Sequence, residues 1–345
     1  IAKETVLATR EALVSAEQNI LLDAVDAYFS VRRALEDVAI NENSVRVIGE
    51  TLRATQDQFE VGEVTRTDVA LAEAQLASAR AGLASAEGQL AAAREIYKAT
   101  IGHYPGVLAV APPAPALPAT VDAARALSQR NHPAVLQAQR QVTVSELQIT
   151  AAALAHRPEL KGTTSLGLID GGNKEASVGL RMTQTIYAGG RLSSSHRKAI
   201  AGRDRARSQL LQSAVEVAQG VGTAWANIAV FRAQIVATEQ QIQAATVAYS
   251  GVQEEAKLGA RTTLDVLDAE QSLLSAKASR IEAEARLQVA IYSLLAAMGL
   301  LTVEHLNLGI PTYDPAAYYE AVKSAPSTSI QGKSLDRVLQ AIGKY

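Results

Sequence analysis

The sequence predicts a mainly α-helical fold with a small β part, built from two copies of one long helical hairpin. Three observations carry this reading. Apolar residues recur every seven positions over stretches far longer than an ordinary globular helix. One tip motif occurs twice, as Val61-Gly62-Glu63-Val64-Thr65-Arg66-Thr67-Asp68 and as Leu258-Gly259-Ala260-Arg261-Thr262-Thr263-Leu264-Asp265. A shift of 197 positions superposes Gly62 on Gly259, Thr65 on Thr262, Asp68 on Asp265, Glu73 on Glu270 and Leu76 on Leu273 without a gap, and carries Gly102 onto Gly299.

Taken in order, residues 1–102 form the first hairpin, with its tip near 60–66. Leu7, Val14, Leu21, Tyr28 and Leu35 make one line of a coiled-coil seam, and Ala24, Val31, Val38, Val45, Leu52 and Phe59 make the other. At about 1.5 Å per residue this helix is roughly 85 Å long, so neighbouring helices must stabilise it along its length. Gly62 and Gly259 can take the positive φ that ends an incoming helix, and Thr262 or Thr263 can cap the next one ahead of acidic first turns. In the returning helices Leu76, Leu83 and Leu90 alternate with Ala72, Ala79, Ala86 and Ala93. Val266, Leu273, Leu287 and Leu294 do the same against Ala269, Ala276, Ala283, Ala290 and Ala297, with Arg280 as a polar interruption. Leucine faces the hole alanine leaves, which allows close helix approach and many parallel neighbours.

Residues 103–158 are a proline-rich connection followed by two helices, over Val121 to Arg130 and Ala134 to His156, divided at Asn131-His132-Pro133. Residues 159–188 hold the strand signals, Lys161 to Ile169 and Ser177 to Tyr187, around a turn at Asp170 to Lys174. Val178, Leu180, Met182 and Ile186 share one face of the second strand, and Arg181, Thr183, Thr185 and Tyr187 share the other. Such a ribbon suits a half-buried sheet or the lipid and lumen sides of a barrel. Residues 189–299 are the second hairpin, with its tip near 257–263. In 300–345 the breakers Pro311 and Asp314-Pro315 precede a short helix from Ala316 to Lys323, a polar stretch and a final helix near Leu335 to Ile342.

Composition narrows the function. A net charge of -2 gives no reason to expect a polyanionic partner, so nucleic acid is disfavoured. The absence of cysteine excludes disulfides, thiolate metal sites and a thiol nucleophile. The five histidines are scattered without metal-ligand spacing, and no Ser/His/Asp set assembles from local motifs, so no enzyme and no cofactor is expected. Gly332-Lys333-Ser334 lacks the first glycine and the preceding strand of a phosphate loop. The longest apolar run, Ala290 to Leu301, is too short for a spanning helix. Any membrane crossing would use strands.

These pieces, in this order, resemble the TolC family of outer-membrane efflux and export proteins. The resemblance covers nearly the whole chain. It rests on Ile186-Tyr187-Ala188-Gly189-Gly190 at the strand-to-helix junction, the two glycine-threonine-aspartate tips, Leu264-Asp265-Val266-Leu267-Asp268-Ala269-Glu270-Gln271, and Leu294-Leu295-Ala296-Ala297-Met298-Gly299. Tyr313-Asp314-Pro315 with Tyr318-Tyr319 is similar to the subgroup serving type I protein secretion. The resemblance implies a homotrimer in the outer membrane and periplasm of a Gram-negative bacterium. Each subunit would give strands to one shared β-barrel in outer-membrane lipid and four helical strands to one tapering periplasmic α-barrel. Its partners would be a periplasmic adaptor (membrane fusion protein) and an inner-membrane ABC or RND transporter. A multidrug efflux duct, or a structural or adaptor coiled coil without a pore, is the alternative. By the same shift Ile1 corresponds to Lys198, so the family's first β-hairpin is not among these residues. A trimer of them is expected to supply about six strands, short of the roughly eight of the smallest membrane barrels, and not to seal a pore by itself.

The resemblance also assigns residues. Asp265 and Asp268, three apart on one helical face, would bring six carboxylates near a three-fold axis as a cation-attracting aperture, with repulsion raising some of their pKa values. As first-turn acids they would equally complement the helix dipole. Arg261 in one tip, with Thr67 and Asp68 in the other, matches positions that latch the aperture; the tyrosine often found three positions before the second tip glycine is Ala256 here. Gly62 and Gly259, with Val61 and Leu258 beside them, match adaptor-contact positions. The basic run from Arg191 to Arg207 reads as a solvated helix face near the membrane side.

Overall fold

The computed structural model describes residues 1–109, 113–169, 173–310 and 315–323. Helix α1 (Ala2–Glu60) turns into α2 (Arg66–Ile101), a connection leads to α3 (Val121–Asn131) and α4 (Pro133–Leu154), strands β1 (Glu159–Ile169) and β2 (Asn173–Thr183) follow, and α5 (Arg191–Lys257) turns into α6 (Thr263–Ala297). Two compact units result, 1–301 and 302–345. In the second, turns over Val303 to Asn307 precede α7 (Pro315–Val322), where the sequence predicts a helix. Pro311, Tyr313-Asp314, Gly332-Lys333-Ser334 and the helix expected near Leu335 lie outside the described residues.

Val31 and Ala34 pack with Leu90 and Ala93, while Ile48, further along α1, packs with the earlier residues Ala72 and Leu76. Helices α1 and α2 therefore run antiparallel. Leu267 of α6 joins the cluster around Ile48, so α1 is flanked on its second side by α6, and α6 in turn pairs with α5. The resulting order is α2, α1, α6, α5. Helix α4 packs on α5 and the first half of α1, through Arg207 to Glu146 at 2.9 Å and Arg140 to Glu4 at 3.5 Å.

This double flanking moves the sealed line of α1. Ala27, Ala34, Ile48 and Thr55 are 1–4% exposed, one residue ahead of the expected Tyr28 and Leu35 line, and Leu35 is 39% exposed. The expected seam serves one neighbour. A helix with two neighbours seals the line between both contacts, and small or β-branched residues fit there because the backbones are close.

The proline-divided helices differ from expectation by a turn or less. His132 caps α4, its Nδ1 accepting the Ala134 N–H at 3.2 Å, and Pro133 opens the helix, where a missing N–H costs nothing. The strand pair is antiparallel, in register from Glu159 opposite Thr183 to Ile169 opposite Asn173. The second strand lies earlier than Ser177 to Tyr187, because Pro158 before β1 lacks an N–H to pair and β2 has no partner past Thr183. Of the expected turn, Asp170 to Gly172 lies outside the described residues, and Asn173 and Lys174 are in strand. Leu160, Val178, Leu180 and Met182 fall on one face, 67–83% exposed. Among the described residues no helix is long and apolar enough to cross a membrane.

Candidate functional site

The two tips are built alike. In the first, the Gly62 N–H donates to the Phe59 carbonyl at 3.0 Å and the Glu63 N–H to the Gln58 carbonyl at 2.9 Å. In the second, Gly259 donates to Ala256 at 3.0 Å and Ala260 to Glu255 at 2.9 Å. These paired bonds satisfy the last helical carbonyls and require the left-handed φ of +81° at Gly62 and +76° at Gly259. The turn pushes Val61 and Leu258 outward, 72% and 85% exposed.

The next helix starts with a reciprocal cap. Thr65 donates its N–H and hydroxyl to the Asp68 carboxylate at 2.8 and 2.7 Å and accepts the Asp68 N–H at 3.3 Å. Thr262 and Asp265 repeat this at 2.9, 2.8 and 3.3 Å. Two backbone N–H groups thereby gain partners at each helix start. Hydrogen bonds from Thr65 hold the Asp68 carboxyl below the usual range. Those from Thr262, helped by Arg261, do the same for Asp265.

Within one chain the Asp265 shift is downward, because the cap bonds favour the ionised form; the upward shift expected of six carboxylates concerns the assembled trimer. Asp265 and Asp68, given different roles on the sequence, occupy one structural position. Asp268 is exposed and lies outside the cap. Arg261 donates from Nε to Glu255 of its own hairpin at 2.9 Å, and that carboxylate holds its guanidinium further into the protonated range. Thr67 is exposed. Among the described residues no hydrogen bond or ion pair joins the two tips.

One further residue belongs to this end of the molecule. Glu270 is 7% exposed and its Oε2 has no hydrogen-bond partner. It faces a cavity of about 280 Å³ between α1, α5 and α6, lined also by Asn43, Ser44, Tyr249 and Lys277. The Ser44 Oγ is likewise buried and unpartnered. Burial pushes the carboxyl up to about 7, against the opposing pull of Lys277 and Arg46. Nothing in the sequence separates Glu270 from its repeat partner Glu73, which is exposed; the difference comes from packing. Among the described residues no histidine and acid cluster could hold a metal ion.

Residues 1–103 and 124–300 match the profile of the family described as "Outer membrane efflux protein". The chain is 35% identical over 329 residues to the outer membrane efflux protein BepC of Brucella suis biovar 1, covering 93% of this chain and 72% of BepC. It is 27% identical over 311 residues to the outer membrane protein TolC of Escherichia coli, covering 84% of the chain and 63% of TolC. To the alkaline protease secretion protein AprF of Pseudomonas aeruginosa it is 24% identical over 284 residues, covering 78% of the chain and 59% of AprF. A solved membrane protein from Pseudomonas aeruginosa superposes with a TM-score of 0.77 at 22% identity, covering 86% of this chain and 72% of that one, which shows a shared fold. With two hairpin tips built alike and a profile match spanning both hairpins, the chain belongs to the outer membrane efflux protein family, whose members are passive channels and not enzymes.

Proposed function

We propose that the chain is one subunit of a homotrimeric export duct. It passively carries substrate from an inner-membrane ABC or RND transporter, through a periplasmic adaptor, to the cell exterior. The supporting observation is an array with two unsatisfied edges. Helix α2 leaves Leu71 and Ile96 exposed, and α5 leaves Val230, Val236 and Val247 50–72% exposed. An array whose two edges differ can complete itself by seating the α5 edge of one copy on the α2 edge of the next, a head-to-tail contact that closes into a ring. The apolar strand face then meets outer-membrane lipid, which a coiled coil without a pore would not need.

Within this reading the tips form the closing end. Asp265 and Asp268 line the aperture, with Asp268 as the carboxylate free of capping bonds. Arg261, Thr67 and Asp68 latch neighbouring hairpins, and Val61, Gly62, Leu258 and Gly259 meet the adaptor. Type I protein secretion is the proposed service, supported by the likeness to the protease secretion protein AprF. Multidrug efflux is the second reading, supported by the higher identity to a protein described as an efflux protein.

The repeat supplies a test. Ile48 of α1 meets Leu267 of α6, and the shift of 197 maps these onto Ala245 of α5 and Ala70 of α2. If copies join as the two hairpins do, Ala70 and Ala245 face each other across the junction. The chain has no cysteine, so the Ala70→Cys/Ala245→Cys variant carries one thiol pair per junction. A short bis-maleimide should then yield a covalent trimer on a denaturing gel. A ladder ending at the dimer, or no crosslink from folded protein, would sink the ring.

A further inference from the structure

Below the strand pair lies a basic surface that the duct itself does not use. Arg157 follows α4, and Arg191, Arg197 and Lys198 occupy the first turns of α5. All four are exposed, and among the described residues none of the four has a carboxylate partner. From Ala176 to Arg203 the sequence holds no aspartate or glutamate. Glu159, nearby on β1, is taken by Lys161 at 3.1 Å. The strand pair sets Glu159 opposite Thr183, bringing the end of α4 to the start of α5, and Arg207 meets Glu146 further along both helices, so α4 and α5 run antiparallel and Arg157 comes down beside the start of α5.

Position gives the charge its meaning. The cations sit at the helical end of a ribbon whose apolar face is Leu160, Val178, Leu180 and Met182, and Ile186 and Tyr187, 97% and 89% exposed, stand between ribbon and helix. A step from exposed apolar side chains to an aromatic residue to unpaired cations matches the profile of a bilayer from acyl chains through the interface to headgroups. Lys198 lies seven residues into α5, about 10 Å below Arg191 at 1.5 Å per residue, which a long side chain and the several-ångström headgroup layer can span. Arg205 lies another turn pair further from the ribbon, about 20 Å below Arg191, outside the headgroups and beyond a Debye length. Arg191, the first residue of α5, also stands at the positive end of the helix dipole, an arrangement an anionic surface offsets.

We propose that Arg157, Arg191, Arg197 and Lys198 form a basic collar that binds the anionic phospholipid headgroups of the leaflet facing the periplasm. The proposal rests on reading the strand pair as membrane-inserted. The collar would fix the depth at which the ribbon sits and make membrane association depend on lipid charge, by about fivefold in partition for each cation near the surface.

Flotation of the full chain with vesicles tests it. Phosphatidylcholine vesicles are compared with vesicles also containing phosphatidylglycerol, at low and high salt. The collar predicts at least tenfold stronger association with the charged vesicles, lost at high salt. In Arg191→Gln/Arg197→Gln/Lys198→Gln the gain should fall to about the fivefold left to Arg157 while association with neutral vesicles persists; Arg205→Gln should keep the gain. Leu180→Asp/Met182→Asp should abolish association with both vesicle types, which tests the strand reading separately. Equal binding of the parent to both vesicles overturns the collar and leaves the strand reading intact. A triple variant, helical by circular dichroism, that keeps the gain also overturns the collar. Failure of the parent to bind either vesicle overturns both.

Discussion

Helices α2 and α6 carry the same pattern of leucine against alanine, yet they live in different surroundings. Where α6 has Ile291 at 3% and Leu295 at 0% exposure, the shift of 197 gives α2 the exposed Arg94 and Lys98. Where α6 buries Leu267 and Glu270, α2 exposes Ala70 and Glu73. The shared positions, Leu76 and Leu273, Ala86 and Ala283, Ala93 and Ala290, are buried in both. Each helix seals the seam to its own hairpin partner. Helix α6 has α1 on its second flank, and among the described residues α2 has no second helix packed along it to that extent. Duplication thus supplied two equal hairpins, and the join between them made one returning helix interior and left the other as an edge.

The sharpest way to break the comparison is at the glycines that end the two helices. A Cβ on Gly299 would lie 2.6 Å from the Cα of His132 and 2.7 Å from the Asn131 carbonyl oxygen, with φ at +75°. A Cβ on Gly102, at φ +98°, would meet nothing within 4 Å. Gly299→Ala must displace backbone and should cost about 4 kcal/mol or more, whereas Gly102→Ala pays the left-handed penalty alone, about 1 kcal/mol. Urea unfolding followed by circular dichroism checks this. Equal losses would show that the α3 to α4 turn does not rest against the end of α6.

Next in size is the buried acid. Glu270 titrates near 7 in the folded chain, above its ordinary 4.5, so between these values the folded state holds the proton more tightly. The stability tied to the neutral acid is fully present below about pH 4.5 and lost as pH rises through 7, at a cost of about 3 kcal/mol in the ionised state. Glu270→Gln should therefore leave stability unchanged near pH 4.5 and raise it by up to about 3 kcal/mol at pH 8. Glu73→Gln, on the exposed equivalent, should be neutral at both. Thermal midpoints across the pH range decide it, and a flat difference for Glu270→Gln would mean that water or a cation already satisfies the cavity.

Much of this was legible beforehand because its causes are local. Glycine at 62 and 259 and threonine with aspartate three residues on dictate a turn and a cap whatever surrounds them. Of the two expected lines of α1, the one through Val31 is buried at Val31, while the one through Tyr28 and Leu35 is displaced by one residue, since Leu35 and Ala34 are both apolar and the choice belongs to a neighbour from another hairpin. At Asp265 the first-turn position is legible in the sequence, and the pairing with Thr262 in a reciprocal cap is what the structure adds. Glu270 could not be singled out at all, because burial of an acid follows from the α1, α5 and α6 junction and leaves no mark in its own motif.

The smallest effect separates the chain from its assembly. Thr65→Ala and Thr262→Ala each remove one hydroxyl that both accepts a backbone N–H and donates to a carboxylate, with lengths agreeing to 0.1 Å between the tips. Each should cost about 1 kcal/mol, and in the isolated chain the two costs should be the same. Assembly should make them unequal if the tips do different work, since a neighbour that binds Asp265 or Arg261 would replace what Thr262→Ala loses, and one that binds Asp68 would replace what Thr65→Ala loses. Comparing the two variants in dilute monomer and in the assembled form therefore reads out which tip meets a neighbour. Equal costs in both forms would place the latch elsewhere than at the caps.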